Sequence, residues 1–236
     1  LKKITFHNQL GTLFSRVKRI EKISVSLAKM FSIDQESTKN AALLCKADLT
    51  SDMVNEFPKL QGIMGYYYSL KSGFSNDIAL SCKEHYSPLG PFDKVPINKL
   101  SICIALADKI DLLSSFWSIN LKPSGSKDPY GLRRASLGIL RILIVNKLDI
   151  NLNDLLNLTE MNNEKKSLED FFYDRAIFLF KNFSYRPDLI DAVLSKGILD
   201  RKLFLCQNEI LSLSKFLSTD KGNDLLYIYR RCSKIL

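Results

Sequence analysis

A chain of 236 residues with 46% hydrophobic and 25% charged side chains has the make-up of an ordinary globular protein, one large domain or two small ones. Only 10 glycines and 7 prolines punctuate it, which excludes a turn-rich β architecture, and no stretch approaches the roughly 18 uninterrupted apolar residues of a membrane span. The net charge of +9 is uneven: residues 1–150 hold 21 Lys and Arg against 13 Asp and Glu, residues 151–236 hold 13 against 12. A basic first half suggests a polyanionic partner such as nucleic acid, although a lysine-rich background accounts for it equally well.

In chain order, Lys2 and Lys3 lead into the polar His7-Asn8-Gln9 and not into the apolar run of a secretory leader. Leu1 in place of Met, and the bare Ile235-Leu236, lead us to expect that both ends lie inside a longer protein. From Leu10, apolar residues at 13, 14, 17, 20, 27 and 31 keep helical spacing, with Arg16, Lys18, Arg19 and Lys22 on the other face. A break at 33–37 precedes a second helix from Ala41 to Val54, ending before Pro58. Ile63, Met64, Tyr67 and Leu70 share a stripe, so Gly62–Leu70 is read as helix with Tyr66, Tyr67 and Tyr68 as core material. Pro88, Gly90, Pro91 and Pro96 mark a loop, after which Lys99–Ile119 forms a long apolar helix. Residues 121–130 form a second loop, closed by Asp128 as N-cap and Pro129 as first helical residue of a helix through Ile144. The polar, Asn-rich stretch 149–167, including Asn162, Asn163 and Glu164, reads as a domain boundary with a short helix at 152–158. Ser167 then opens a helix, with Asp170 in a capping-box position, and further apolar helices follow at 171–183, 189–194, 203–217 and 225–236. The expected fold is all-α.

Several chemistries lack their parts. There is no GxxxxGK[ST] or GxGxxG to cradle phosphates, and Ser124-Gly125-Ser126-Lys127 is too short to serve. The five cysteines are scattered without a CxxC pair, and His7 and His85 are the only imidazoles, so no metal site is expected and the thiols read as reduced and mostly buried. Each histidine is expected on the surface or satisfied internally. Asp108 and Asp111 stand at i, i+3, and read as a surface charge cluster with Lys109, or as a metal or partner site. The best candidate site is the basic segment around the Pro129 helix, where Lys122, Lys127, Arg133, Arg134 and Arg141 are opposed only by Asp128. A helix N-terminus and arginine forks both suit phosphate. Internal pairing of Arg133 or Arg134 with Asp108 or Asp111 fits the same residues.

The same segment, Leu121-Lys-Pro-Ser-Gly-Ser-Lys-Asp-Pro-Tyr-Gly-Leu-Arg-Arg-Ala-Ser-Leu-Gly-Ile-Leu-Arg-Ile-Leu143, resembles a hallmark stretch of bacterial glycyl-tRNA synthetase beta subunits. Thr5–Leu13, Lys46–Leu49, Glu56–Gly65, Ala105–Asp111 and Tyr185–Val193 match that family in the same order. The resemblance implies part of an α2β2 ligase that joins glycine to its tRNA with ATP and Mg, neither bound by this stretch. It implies a cytoplasmic protein whose partners are glycine tRNA and the alpha subunit, with no role for membrane or DNA. It also implies an HD-like helical domain over 1–150 and the truncated start of a DALR-type anticodon-binding domain over 151–236. The tRNA-binding candidates are then Lys122, Lys127, Arg133, Arg134 and Arg141, with Arg186 in the second domain.

An HD fold brings with it metal-dependent phosphohydrolysis as an alternative. Hydrolases of that kind hold metal with a His, a His-Asp pair and a later Asp. Here Cys45 and Lys46 fall on the paired positions and Leu13 near the earlier histidine, leaving Asp108 alone. A third reading is a scaffold that docks the alpha subunit, for which Tyr66–Tyr68 are candidates.

Overall fold

The computed structural model describes residues 1–90, 92–123, 125, 127–161 and 165–233. The expected Asn162, Asn163 and Glu164, like Pro91, Ser124, Ser126, Ile235 and Leu236, lie outside the described residues. The fold is all-α apart from one small antiparallel pair, β1 (Thr5–His7) and β2 (Gly11–Thr12). That pair takes the place of the expected helix start at Leu10. Gly11 turns with φ +83°, and the Thr12 hydroxyl accepts from Ser15 N at 3.2 Å to begin α1 (Leu13–Phe31).

α2 (Gln35–Leu44) starts at Asp34, whose carboxylate accepts from Ser37 N at 2.7 Å. The single helix expected from Ala41 to Val54 is broken: a 3₁₀ turn covers Ala47–Thr50, and Ser51 caps a short α3 (Asp52–Glu56). α4 (Ile63–Lys71) lies where expected, but the tyrosines do not fill a core, since Tyr67 is 59% and Tyr68 38% exposed. α5 (Asn76–Glu84), capped by Ser75, lies between the two expected helices in sequence where no helix is expected.

α6 (Lys99–Ser118) is the central strut, buried on every side as its near-continuous apolar run demands. It packs against α1, α2, α5 and α7 (Leu132–Val145). α8 (Leu152–Asn157) opens with a full capping box between Asn151 and Asp154 and touches α6. α9 (Lys165–Asn182) begins before Ser167, so that residue lies inside the helix and not at its cap. α10 (Pro187–Leu194), α11 (Leu203–Leu217) and α12 (Asp220–Cys232) follow in a chain of pairwise contacts. α7 carries the packing across residue 150: it lies on α6 and also on α9 and α11, and one apolar cluster runs from Ile20 to Ile210. No described helix is long and apolar enough to cross a membrane. All five cysteines are free thiols, four buried and Cys232 exposed; burial pushes Cys45 and Cys103 up to about 12, which keeps them protonated and inert.

Candidate functional site

Arg16 and Arg19 stand at i, i+3 on α1, and Asp108 and Asp111 stand at i, i+3 on α6. The two helices pack, so the pairs meet rung by rung. Arg16 Nη2 lies 2.9 Å from Asp108 Oδ1, and Arg19 Nε lies 2.6 Å from Asp111 Oδ1. Arg16 Nε also stands 3.4 Å from Asp111 Oδ2. The two aspartates are therefore buried, not a surface cluster with Lys109, and their partners are neither Arg133 nor Arg134. Arg16 and Lys46 hold the Asp108 carboxyl far below the usual carboxylate range in spite of its burial. Burial pushes the Asp111 carboxyl up, against the opposing pull of Arg19 and Arg16.

Lys46, in the bend between α2 and the first 3₁₀ turn, completes the cluster. Its Nζ lies 3.0 Å from Asp108 Oδ1 and 2.9 Å from His85 Nε2, and 4.1 Å from the centre of the Tyr86 ring. His85 Nδ1 is 2.8 Å from Cys82 O. A carbonyl only accepts, so Nδ1 carries the ring hydrogen and Nε2 accepts from the lysine. Burial, and then the Lys46 charge, hold His85 well below its ordinary pKa, and the ring is neutral. The histidine is wholly buried and internally satisfied. Burial works against the Lys46 ammonium, but Asp108 and Tyr86 outweigh it and raise its pKa.

This geometry bears on metal binding. Asp108 and His85 are the donor-type side chains here, and the ammonium of Lys46 lies between them within hydrogen-bond distance of both. A covalently tethered cation in that place does not fit a metal centre. Among the described residues no group of three His, Cys, Asp or Glu side chains converges.

Lys109 turns the other way from its neighbour Asp108. Its Nζ donates to His85 O at 3.0 Å and Ser87 O at 2.8 Å, stitching α6 to the segment after α5. Gly138 of α7 makes room for it, because a Cβ there would stand 2.7 Å from Lys109 Cε. Burial pushes the Lys109 amine down to about 7, with Asp108 pulling the other way. Above the cluster lies a cavity of about 270 Å³ whose charged lining is Arg16, Lys46, Lys109 and Arg134 against Asp108. Its aromatic lining is Phe6, Tyr86, Phe116 and Tyr130, with the Phe116 and Tyr130 rings 4.2 Å apart.

The loop before α7 differs from expectation. The helix begins at Leu132, three residues later than Pro129 suggested, because residues 129–131 make a turn in which Gly131 takes φ +69°. Asp128 still caps it: its carboxylate accepts from Leu132 N at 2.8 Å and Arg133 N at 3.0 Å. The anion at this helix N-terminus is thus the chain's own carboxylate. Arg133 folds back on the loop, donating to Lys127 O at 3.3 Å and Gly125 O at 2.5 Å. Arg141 is 9% exposed and its fork is spent on the preceding loop, donating to Gly90 O at 2.6 Å and Asp93 O at 2.5 Å. Arg134 is exposed, packs over Gly131, and has no hydrogen-bond or ion-pair partner among the described residues. Lys127 is exposed and Lys122 half-buried on the same loop. Arg186 stands apart on α10, in an exposed two-point pair with Asp188 at 3.1 and 2.6 Å.

The sequence singled out Lys46 and Asp108 but not Arg16, His85 or the aromatic wall. The signal for Arg16 was present in the matched i, i+3 spacing of arginines on α1 and aspartates on α6.

Residues 1–195 match the family model for the glycyl-tRNA synthetase beta subunit. Over the whole chain, the sequence is 42% identical to the glycine--tRNA ligase beta subunit of Paracoccus denitrificans and 40% identical to that of a Ruegeria species, covering 34% of each. The Rickettsia felis protein of the same name is 43% identical, again over all of this chain and 34% of its own length. The chain thus spans about a third of the length of these relatives, and it belongs to the glycyl-tRNA synthetase beta subunit family.

Proposed function

We propose that this helical region contacts tRNA within a glycine--tRNA ligase, supporting ATP-dependent glycylation without a catalytic centre of its own. Family membership supports the setting. The observation that carries the contact is Arg134, an exposed guanidinium without a partner among the described residues, beside Lys127 and Lys122 on the loop before α7. A guanidinium so placed matches phosphate geometry and gives up no internal pair on binding. Arg133 extends the candidate surface by exchanging its exposed bonds to Lys127 O and Gly125 O, and Arg186 is a separate candidate on α10 whose exposed pair with Asp188 contributes only about 0–1 kcal/mol. Glycine tRNA and the alpha subunit are the proposed partners, in the cytoplasm where translation proceeds; ATP and Mg serve the assembled enzyme. We assign residues 1–150 to an HD-like domain and 151–236 to the start of a DALR-type anticodon-binding domain on the family resemblance, with α7 packed against helices on both sides of that division.

The test is filter binding of glycine tRNA and an unrelated tRNA to the full ligase at two salt concentrations, with Lys127→Glu and Arg134→Glu. Each lost phosphate contact lowers the salt slope by about 1. Unchanged affinity and slope would remove the contact from this loop. The exposed Tyr67 and Tyr68 favour a second reading, in which the region docks the alpha subunit. Firm association with that subunit, with no tRNA loss in the charge-reversed protein, would put this reading first. The hydrolase reading is disfavoured by Lys46, whose ammonium stands between the donors a metal needs.

A further inference from the structure

The cavity above the buried cluster has a charge imbalance that the protein does not resolve. Four cations face it, from α1 (Arg16), the bend after α2 (Lys46), α6 (Lys109) and α7 (Arg134), and one carboxylate, Asp108, answers them. Asp111 sits behind, committed to Arg19 and Arg16, and Asp48 is turned away, accepting from Gly62 N at 2.6 Å and Gly65 N at 3.1 Å. Arg16 and Lys46 are both within 3.0 Å of the same Asp108 oxygen, so one negative charge is shared twice. Lys109 spends two of its three N–H donors on carbonyls and has no carboxylate partner among the described residues. Arg134 is exposed at the rim without a partner among the described residues, and burial holds the Lys109 amine down, so both are open to an anion that enters.

The rest of the lining says what kind of anion. Phe6, Phe116, Tyr130, Leu89 and Leu112 give the cavity an apolar flank, and Tyr130, 42% exposed, offers a ring at the mouth. An inorganic anion leaves that flank unused. A volume of about 270 Å³ lies at the small end for an organic ligand, too small for a dinucleotide. We propose that the cavity binds a ring-bearing organic monophosphate of mononucleotide size, with its phosphate against Lys46, Lys109 and Arg134 and its ring on Tyr130 and the apolar flank. The cavity shares Arg134 with the proposed tRNA contact, whereas Tyr130 and Ala135 line the cavity and are not among the tRNA-contact candidates, so variants at those two positions tell the two sites apart.

The neighbourhood of Lys109 supplies a second readout. Asp108 on its own helix raises its proton affinity, while Arg16 and Lys46 lower it together with burial. His85 beside it is neutral and donates no charge. With its pKa pushed down to about 7, the amine is largely neutral at pH 8, and a phosphate brought against it draws a proton in.

The experiment is titration calorimetry on the full-length beta subunit without its partner subunit, using adenosine monophosphate, adenosine and orthophosphate. It is run at pH 8 in two buffers of different ionisation enthalpy. The monophosphate is expected to bind saturably, at least roughly ten-fold tighter than adenosine or orthophosphate, with net proton uptake. Tyr130→Ala, at an exposed position, should weaken it by roughly five-fold or more, the loss of one stacked base; Ala135→Leu, which fills the cavity, should weaken it further. Absence of saturable binding at millimolar nucleotide would overturn the proposal. So would affinity untouched by both variants, or orthophosphate binding as tightly as the nucleotide. Glycine tRNA binding by the same variants is expected to stay at the wild-type level, so loss of the cavity and loss of the tRNA contact read out separately.

Discussion

Gly138 of α7 and Lys109 of α6 are fitted to each other: a Cβ on the glycine would meet Lys109 Cε at 2.7 Å and Cδ at 3.0 Å. The glycine is helical, so Ala carries an intrinsic advantage of about 1 kcal/mol there. The clash outweighs it, because Lys109 Nζ is held on His85 O and Ser87 O, and moving the stem away from the new Cβ strains both bonds. Gly138→Ala is expected to destabilise the protein by about 1–3 kcal/mol in urea unfolding. Adding Lys109→Ala should recover part of that loss, and a strictly additive double mutant would show that the two residues are not coupled.

Asp108 is the keystone of the buried charges, and its removal is predicted to cost more than any surface change. Asp108→Asn leaves Lys46 with no countercharge and Arg16 with only its longer 3.4 Å contact to Asp111. Breaking a buried pair on one side costs about 3–5 kcal/mol. The companion Arg19→Gln, which removes a part-exposed partner from Asp111, should cost less than half as much. Equal midpoints for the two variants in guanidinium chloride would refute this ranking.

Much of the fold is readable because α6 and α7 are long, apolar and free of proline. α5 was not: its buried side chains are Ile78, Ala79, Ser81 and Cys82, too small and too few to show a stripe in nine residues. The split of the second helix hid for a different reason, since Ser51 acts as a cap in the middle of an apolar pattern. At the site, Asp128 was legible as a cap but not the turn that delays the helix, which depends on Gly131 taking positive φ. The pairing of Arg16 with Asp108 spans 92 positions, and only the packing of α1 on α6 brings it about.

The neutral state of His85 predicts an acid-side loss of stability. Its folded pKa lies below its unfolded value, so between the two the unfolded chain binds a proton that the native state refuses. Stability therefore falls as pH drops below the ordinary histidine range, by at most about 1.4 kcal/mol per pH unit from this group. It levels off once pH passes below the folded pKa. His85→Gln keeps an acceptor for Lys46 without a titrating ring, and should flatten the curve between pH 7 and 5. An unchanged slope in chemical unfolding across that range would assign the loss to other groups.

Arg141 separates structural from surface arginine. Its two terminal nitrogens hold Gly90 O and Asp93 O, and Asp93 in turn accepts from Leu89 N at 3.0 Å and Gly90 N at 2.8 Å. The loop that walls one side of the cavity is thus tied to α7 by this guanidinium, with Asn146 holding its far end at Pro96 O. Arg141→Ala releases two part-buried carbonyls from a charged donor, at about 1.5–3 kcal/mol. Amide exchange should rise across residues 89–95, while tRNA affinity at constant salt changes less than in Arg134→Glu. Lysine offers one nitrogen in place of the two terminal nitrogens that Arg141 sets on separate carbonyls, so Arg141→Lys should restore only part of the protection. If Arg141→Ala weakened tRNA binding as strongly as Arg134→Glu with the loop still protected, the fork would have to reach the RNA directly.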